Sequence, residues 1–167
     1  RNRIPLHMRC LLLEGNGRLI LVDNGLGHKY DEKFADHFAV DHSRHTLGES
    51  LRAAGFGFGD VTDVILTHLH FDQCGGSTVR AGDHLEVAFP RARFHVQRAH
   101  WEWALAPNER ERASFLAENL DPLAASGQLN FIEGEGSLFE GIELLTVNGH
   151  TEAQQLVKVS AGEGTLV

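Results

Sequence analysis

His68-Leu69-His70-Phe71-Asp72 places two imidazoles and a carboxylate at alternate positions of the chain. Along extended backbone, residues two apart share a side, so these three side chains are expected to project together. Imidazole nitrogen and carboxylate oxygen are donors that suit Zn²⁺ and, with less preference, iron, manganese or cobalt. The spacing therefore points to a metal site, and to the chemistry of a metal-activated water. His150, far along the chain and flanked by Gly149 and Thr151, is the expected third nitrogen ligand. The chain has 11 histidines, and the other eight read as ordinary surface or hydrogen-bonded residues because nothing in their spacing converges.

Such a cluster needs a rigid platform. Val64-Ile65-Leu66-Thr67, apolar and rich in β-branched residues, predicts a parallel strand covered by helices on each side. The histidines follow at its C-terminal end, where open α/β sheets build their sites. Gly75-Gly76 lets the backbone turn tightly beside the metal loop. Leu19-Ile20-Leu21-Val22 predicts a core strand that runs into the turn Asp23-Asn24-Gly25. Thr46, with Glu49 three residues on, marks a capped helix start, and Gly55, Gly57 and Gly59 end that helix.

Arg93 to Gln97 reads as another strand. The segment from Ala99 to Glu118 reads as helical, with a new helix beginning at Pro107-Asn108. Trp101 and Trp103 are expected to pack into the core and Cys74 to be a small buried residue. Leu129 to Ile132, Ile142 to Val147 and Leu156 to Val159 read as three further strands separated by glycine-bearing turns. The order predicts a layered α/β (α+β) architecture whose final third is an antiparallel meander.

With 167 residues, 42% of them hydrophobic and 23% charged, the chain reads as one domain with a real core. No apolar stretch approaches the length of a membrane span. The net charge of −8, with no basic run, excludes the electrostatic footprint of a nucleic-acid binder and leaves a small molecule as the expected partner. Cys10 and Cys74 form no disulfide framework, which fits a cytoplasmic protein. Both termini are expected to be cut from a longer domain, because the chain starts at Arg1 and Val167 closes an apolar stretch. No feature specifies an oligomeric state.

Thr67-His68-Leu69-His70-Phe71-Asp72-Gln73-Cys74-Gly75-Gly76 resembles the signature of the metallo-β-lactamase superfamily. Leu21-Val22-Asp23-Asn24-Gly25 resembles the strand and Asp-x-Gly turn that precede that signature, and Gly149-His150-Thr151 resembles its Gly-His-Thr element. Order and approximate spacing agree over about residues 10 to 167. The resemblance implies an αβ/βα sandwich, with His68, His70 and His150 on a first metal and Asp72 on a second. It also implies a supporting role for Asp23 near the metal loop.

The chain departs from the pattern at three places. Gln73 stands where the family usually has histidine, and an amide oxygen is a poorer zinc ligand than a neutral imidazole, so the second metal position is expected to be weakened. No Asp follows Asp121 and no His follows His150, so the remaining ligands of a dinuclear set are expected beyond Val167. Gly-His-Thr is followed by Glu152-Ala153-Gln154-Gln155 rather than by the common Pro-Gly-His.

The resulting expectation is a metal-dependent hydrolase of a small ester, lactone or thioester, lactones leading, with one or two zinc ions and Asp72 orienting the attacking water. Two alternatives stay open at this stage: an iron-dependent oxidoreductase on the same fold, and a non-catalytic binding member with a degenerate second site.

Overall fold

The computed structural model describes residues 4–162 and 164–167. β1 (Leu11–Gly15) and β2 (Arg18–Val22) form an antiparallel hairpin. Asn16 and Gly17 at its tip have φ of 49° and 73°, the pair of left-handed conformations that a two-residue turn between twisted strands demands. The sequence pattern anticipates β2 but not β1, whose three leucines are too short a run to mark a strand. β2 then pairs in parallel with β3 (Asp63–Ile65), β3 with β6 (Arg93–Gln97), and β6 with β7 (Leu129–Ile132). The result is one five-stranded sheet in the order β1-β2-β3-β6-β7.

β8 (Gly136–Phe139), β9 (Ile142–Val147), β10 (Gln154–Ala161) and β11 (Gly164–Leu166) form an antiparallel meander, a second sheet of four strands. The expected meander thus holds from Ile142 onward, whereas Leu129–Ile132, read as its first strand, joins the first sheet in parallel. A separate hairpin, β4 (Thr78–Ala81) and β5 (His84–Val87), belongs to neither sheet and has no counterpart in the sequence reading.

The period of two along each strand sorts the core into two clusters. Leu19, Leu21, Val64, Leu66, Phe94 and Val96 point to one side, onto Leu51 of α2 (Leu47–Ala53), Trp101 and Ala104 of α4 (Arg98–Leu105), and Leu120 and Leu123 of α5 (Ala117–Ser126). Ile20, Val22 and Ile65 point to the other side, onto Ile142, Leu144 and Val157 of the second sheet. β3 is thus buried on both faces as expected, but the cover differs from the expectation. Helices lie on one face only, and the other face is closed by a β-sheet, because apolar residues on both sides of a strand report burial and not what does the burying. Glu143 and Lys158 on the outer face of the second sheet pair at 2.8 Å.

α2 starts as its sequence says. Thr46 Oγ1 accepts the Glu49 N–H at 3.1 Å and donates to the Glu49 carboxylate at 2.8 Å. The helix expected at Pro107-Asn108 does not form. Asn108 Oδ1 accepts the Glu111 N–H at 3.0 Å, as a helix cap would, yet only a single 3₁₀ turn, Arg112–Ser114, follows. The chain becomes extended at Phe115, which buries its ring in the core, and α5 begins only at Ala117. Two further helices, α1 (Glu32–Phe38) and α3 (Phe71–Cys74), flank the site described next.

Candidate metal centre

Three parallel strands deliver their C-terminal residues to one edge of the first sheet. Asp23 follows β2, the segment Thr67 to Asp72 follows β3, and His100 lies in the first turn of the helix that follows β6. His150 comes from the other sheet, in the loop between β9 and β10. Gln155 joins the two sources. Its backbone N–H donates to the Thr67 carbonyl at 2.9 Å, and its buried side chain donates to Leu66 O at 2.8 Å.

The structure brings together His68, His70 and His150. Their ring centroids are 4.7, 4.8 and 4.9 Å apart, a nearly equilateral triangle, and one donor nitrogen from each lies within 4.8 Å of the others. His70 Nδ1 faces His150 Nε2 at 3.2 Å. Two nitrogens bound to one tetrahedral zinc at 2.0–2.1 Å would be about 3.3 Å apart, so this spacing fits a shared ion. Burial and the mutual proximity of the rings push His68 down to about 3, and burial followed by His150 lowers His70, so both rings are neutral at neutral pH, the form that metal ligation requires.

His68 also has a defined tautomer. Buried Asp23 accepts the Thr67 N–H and the Thr67 hydroxyl, each at 2.8 Å. The hydroxyl proton being committed, Thr67 Oγ1 accepts from His68 Nδ1 at 3.0 Å, which leaves the Nε2 lone pair free for a metal. Burial pushes Asp23 up to about 7, and the two Thr67 hydrogen bonds oppose that rise. Asp23 takes a left-handed φ of 55°, which turns the chain out of β2 so that its carboxylate reaches across to Thr67.

His100, which the spacing gives no reason to single out, is fully buried behind the metal loop. Its Nε2 accepts the Leu69 N–H at 2.8 Å and its Nδ1 donates to the Glu152 carbonyl at 2.6 Å. One imidazole thus ties the backbone between His68 and His70 to the backbone just past His150. Burial takes its pKa down to about 4, in keeping with a neutral ring that both donates and accepts. The tight approach at Gly75 and Gly76 is also real, though not through an unusual φ: Gly75 has φ −59°. A Cβ on either glycine would lie 2.2 Å from a backbone carbonyl oxygen, of Leu26 or of Asn24.

Asp72 does not join the trio. The chain leaves the extended conformation at His70 and enters α3, so the alternation that aligns His68 with His70 stops before Asp72. Its carboxylate accepts instead from Gln73 Nε2 at 3.4 Å, and the same amide reaches Met8 Sδ at 4.0 Å. Asp72 still lines the same cleft as His70 and His150. That cleft measures about 1130 Å³, and its walls include Met8, Phe38, Leu47, Leu51 and Phe71. Of the aromatic residues read as core, Trp101 packs against Phe131, and Trp103 adds a hydrogen bond from Nε1 to Glu111 at 3.1 Å. Cys74 is buried, as expected.

Three imidazoles at the C-terminal edge of a sheet, the third supplied by the sheet packed against it, form a cluster able to hold a metal ion. A family profile described as the metallo-beta-lactamase superfamily matches residues 5–167, and the chain belongs to that superfamily. It is similar to an N-acyl homoserine lactonase of Bacillus cereus, 28% identical over 99% of this chain and 63% of the lactonase. A probable metal-dependent hydrolase of Staphylococcus aureus superposes with a TM-score of 0.82 at 26% identity, covering 93% of this chain and 55% of that one. An N-acyl homoserine lactone hydrolase, with the product N-hexanoyl-L-homoserine bound at its catalytic metal centre, gives 0.66 at 26% identity, over 90% of this chain and 57% of that one. The chain therefore spans little more than half the length of these relatives. Among the described residues, no helix is long and apolar enough to cross a membrane.

Proposed function

We propose that this chain carries the histidine site of a zinc-dependent hydrolase that opens a small ester, lactone or thioester, with a lactone the preferred class. The observation that supports this reading most is the triangle of imidazoles from His68, His70 and His150 at a cleft with apolar walls. Three nitrogen donors suit zinc and leave a coordination position open to solvent. When bound there, zinc supplies an acidified water and a centre that polarises a carbonyl.

The chain's own residues do the rest. His68 and His70 are held neutral and oriented, so they need neither lose a proton nor reorganise to bind. Asp72, at the cleft wall beside His70, is the group placed to orient a water and take its proton. Phe38, Met8 and Phe71 offer an apolar surface to an acyl chain. The lactonase relatives motivate the choice of lactone. The free thiols of Cys10 and Cys74 fit a reducing, cytoplasmic setting.

The test is hydrolysis of N-hexanoyl homoserine lactone alongside metal analysis, on the wild type and on His68→Ala. Zinc content matched by lactone opening, both lost in His68→Ala, is the expected result. Stoichiometric iron with oxygen consumption, or hydrolysis indifferent to His68→Ala, overturns the reading.

A further inference from the structure

Glu111 is an acidic side chain 6% exposed, and neither the ligand set nor the proposed water chemistry uses it. It follows Asn108, which accepts the Glu111 N–H, and its carboxylate is fixed from several sides. Oε2 accepts from Thr151 Oγ1 at 2.6 Å and from Trp103 Nε1 at 3.1 Å, and Oε1 accepts from Asn108 Nδ2 at 3.4 Å. The exposed guanidinium of the neighbouring Arg110 lies 3.7 Å from Oε1. Burying a carboxylate is costly, and these donors offset that cost while fixing its orientation.

That orientation aims Oε2 at His70 Nε2, 3.7 Å away. The nitrogen is buried and has no hydrogen-bond partner among the described residues. Its sister nitrogen, Nδ1, is the one that faces His150. A neutral imidazole carries one proton. A lone pair on Nε2 would point at an anionic oxygen, whereas a proton there would be attracted to it, so the carboxylate selects the tautomer with Nε2–H and a free Nδ1. Closing the gap to a hydrogen bond takes a shift of about 1 Å, with no competing partner on that side. Through Thr151, the same oxygen also anchors the residue next to His150.

We propose that Glu111 is a positioning residue of the metal site: its carboxylate holds His70 in the Nε2–H tautomer that presents Nδ1 to the ion, and through Thr151 it fixes the loop carrying His150. This rests on the reading that the three histidines bind a metal.

Zinc affinity, measured by competition with a chromophoric chelator, and the ¹⁵N signature of the His70 ring test it together on the full chain. Glu111→Gln keeps the side chain's size but removes the charge. It is expected to weaken zinc binding about 10- to 100-fold and to move His70 away from a pure Nε2–H signature. Glu111→Asp should recover part of both. A purely structural role would lower the unfolding midpoint without moving the tautomer. Wild-type zinc affinity with an unchanged His70 signature in Glu111→Gln overturns the proposal. Should that variant not fold, Thr151→Val, which removes one donor to Oε2, carries the same expectation with a smaller loss, and unchanged affinity there is equally contrary. His68→Ala separates the two levels. Zinc retained in His68→Ala sinks the metal reading itself, whereas zinc lost there but kept in Glu111→Gln sinks only the role of Glu111.

Discussion

The loop after β3 has two halves that are built differently. From Thr67 to His70, nearly every polar group has a fixed partner: Asp23 holds Thr67, Thr67 holds His68, and His100 holds the Leu69 backbone. From Phe71 to Cys74 the backbone is a helical turn locked to Asn24 and Gly25, but Asp72, which lines the cleft, is held only by its neighbour Gln73. The comparison teaches that one metal position is organised by buried polar groups before any ion arrives, while a second would depend on side chains at the cleft wall. Preorganised ligands lose little freedom on binding, so the first position should dominate affinity.

The strongest way to break the comparison is to remove the histidine that completes the organised position from the β9–β10 loop. His150→Ala should lower zinc affinity by more than about 100-fold, since loss of even a ligand's hydrogen-bond partner costs roughly 10- to 100-fold. Competition against a chelator of known affinity reads this directly. Asp72→Ala should leave the tight zinc in place.

His100→Ala comes next. It orphans the buried Leu69 N–H, at about 1–3 kcal/mol, and removes a partner from the part-buried Glu152 carbonyl. Urea unfolding should show the midpoint fall accordingly, and a midpoint within error of wild type would mean that His100 does not bolt the two loops together.

The smallest effect is expected from the cleft-wall half. Gln73→His replaces an amide that donates to Asp72 with an imidazole able to coordinate, and should raise bound zinc above the wild-type equivalence without changing the first site's affinity. If it alters neither stoichiometry nor hydrolytic rate, Gln73 is not what weakens the second position.

Much of this was legible in the residues. The three histidines that the fold brings together stand out because each follows a strand and bears a donor side chain, and Thr46 with Glu49 names its own helix start. Two kinds of feature were not legible. Local signals can be present without the element they usually announce, as at Asn108, where the cap forms but the demand to bury Phe115 ends the turn. Long-range partners leave no mark in spacing at all. His100 and Glu111 reach the site only because β6 lies beside β3 and the chain then folds back under the β9–β10 loop. The one local hint was the Asn108-x-x-Glu111 pair, which reads as a helix cap until the fold shows where the carboxylate points. Asp72 was the opposite case, aligned with the histidines by a period-two argument that holds only while the chain remains extended.

The most direct test of the account is the number and affinity of zinc ions bound by the wild-type chain, set against His68→Ala and Asp72→Ala in one competition titration. The account predicts one tight zinc in the wild type, lost in His68→Ala and kept in Asp72→Ala. No tight zinc in the wild type, or equal loss in the two variants, would contradict it.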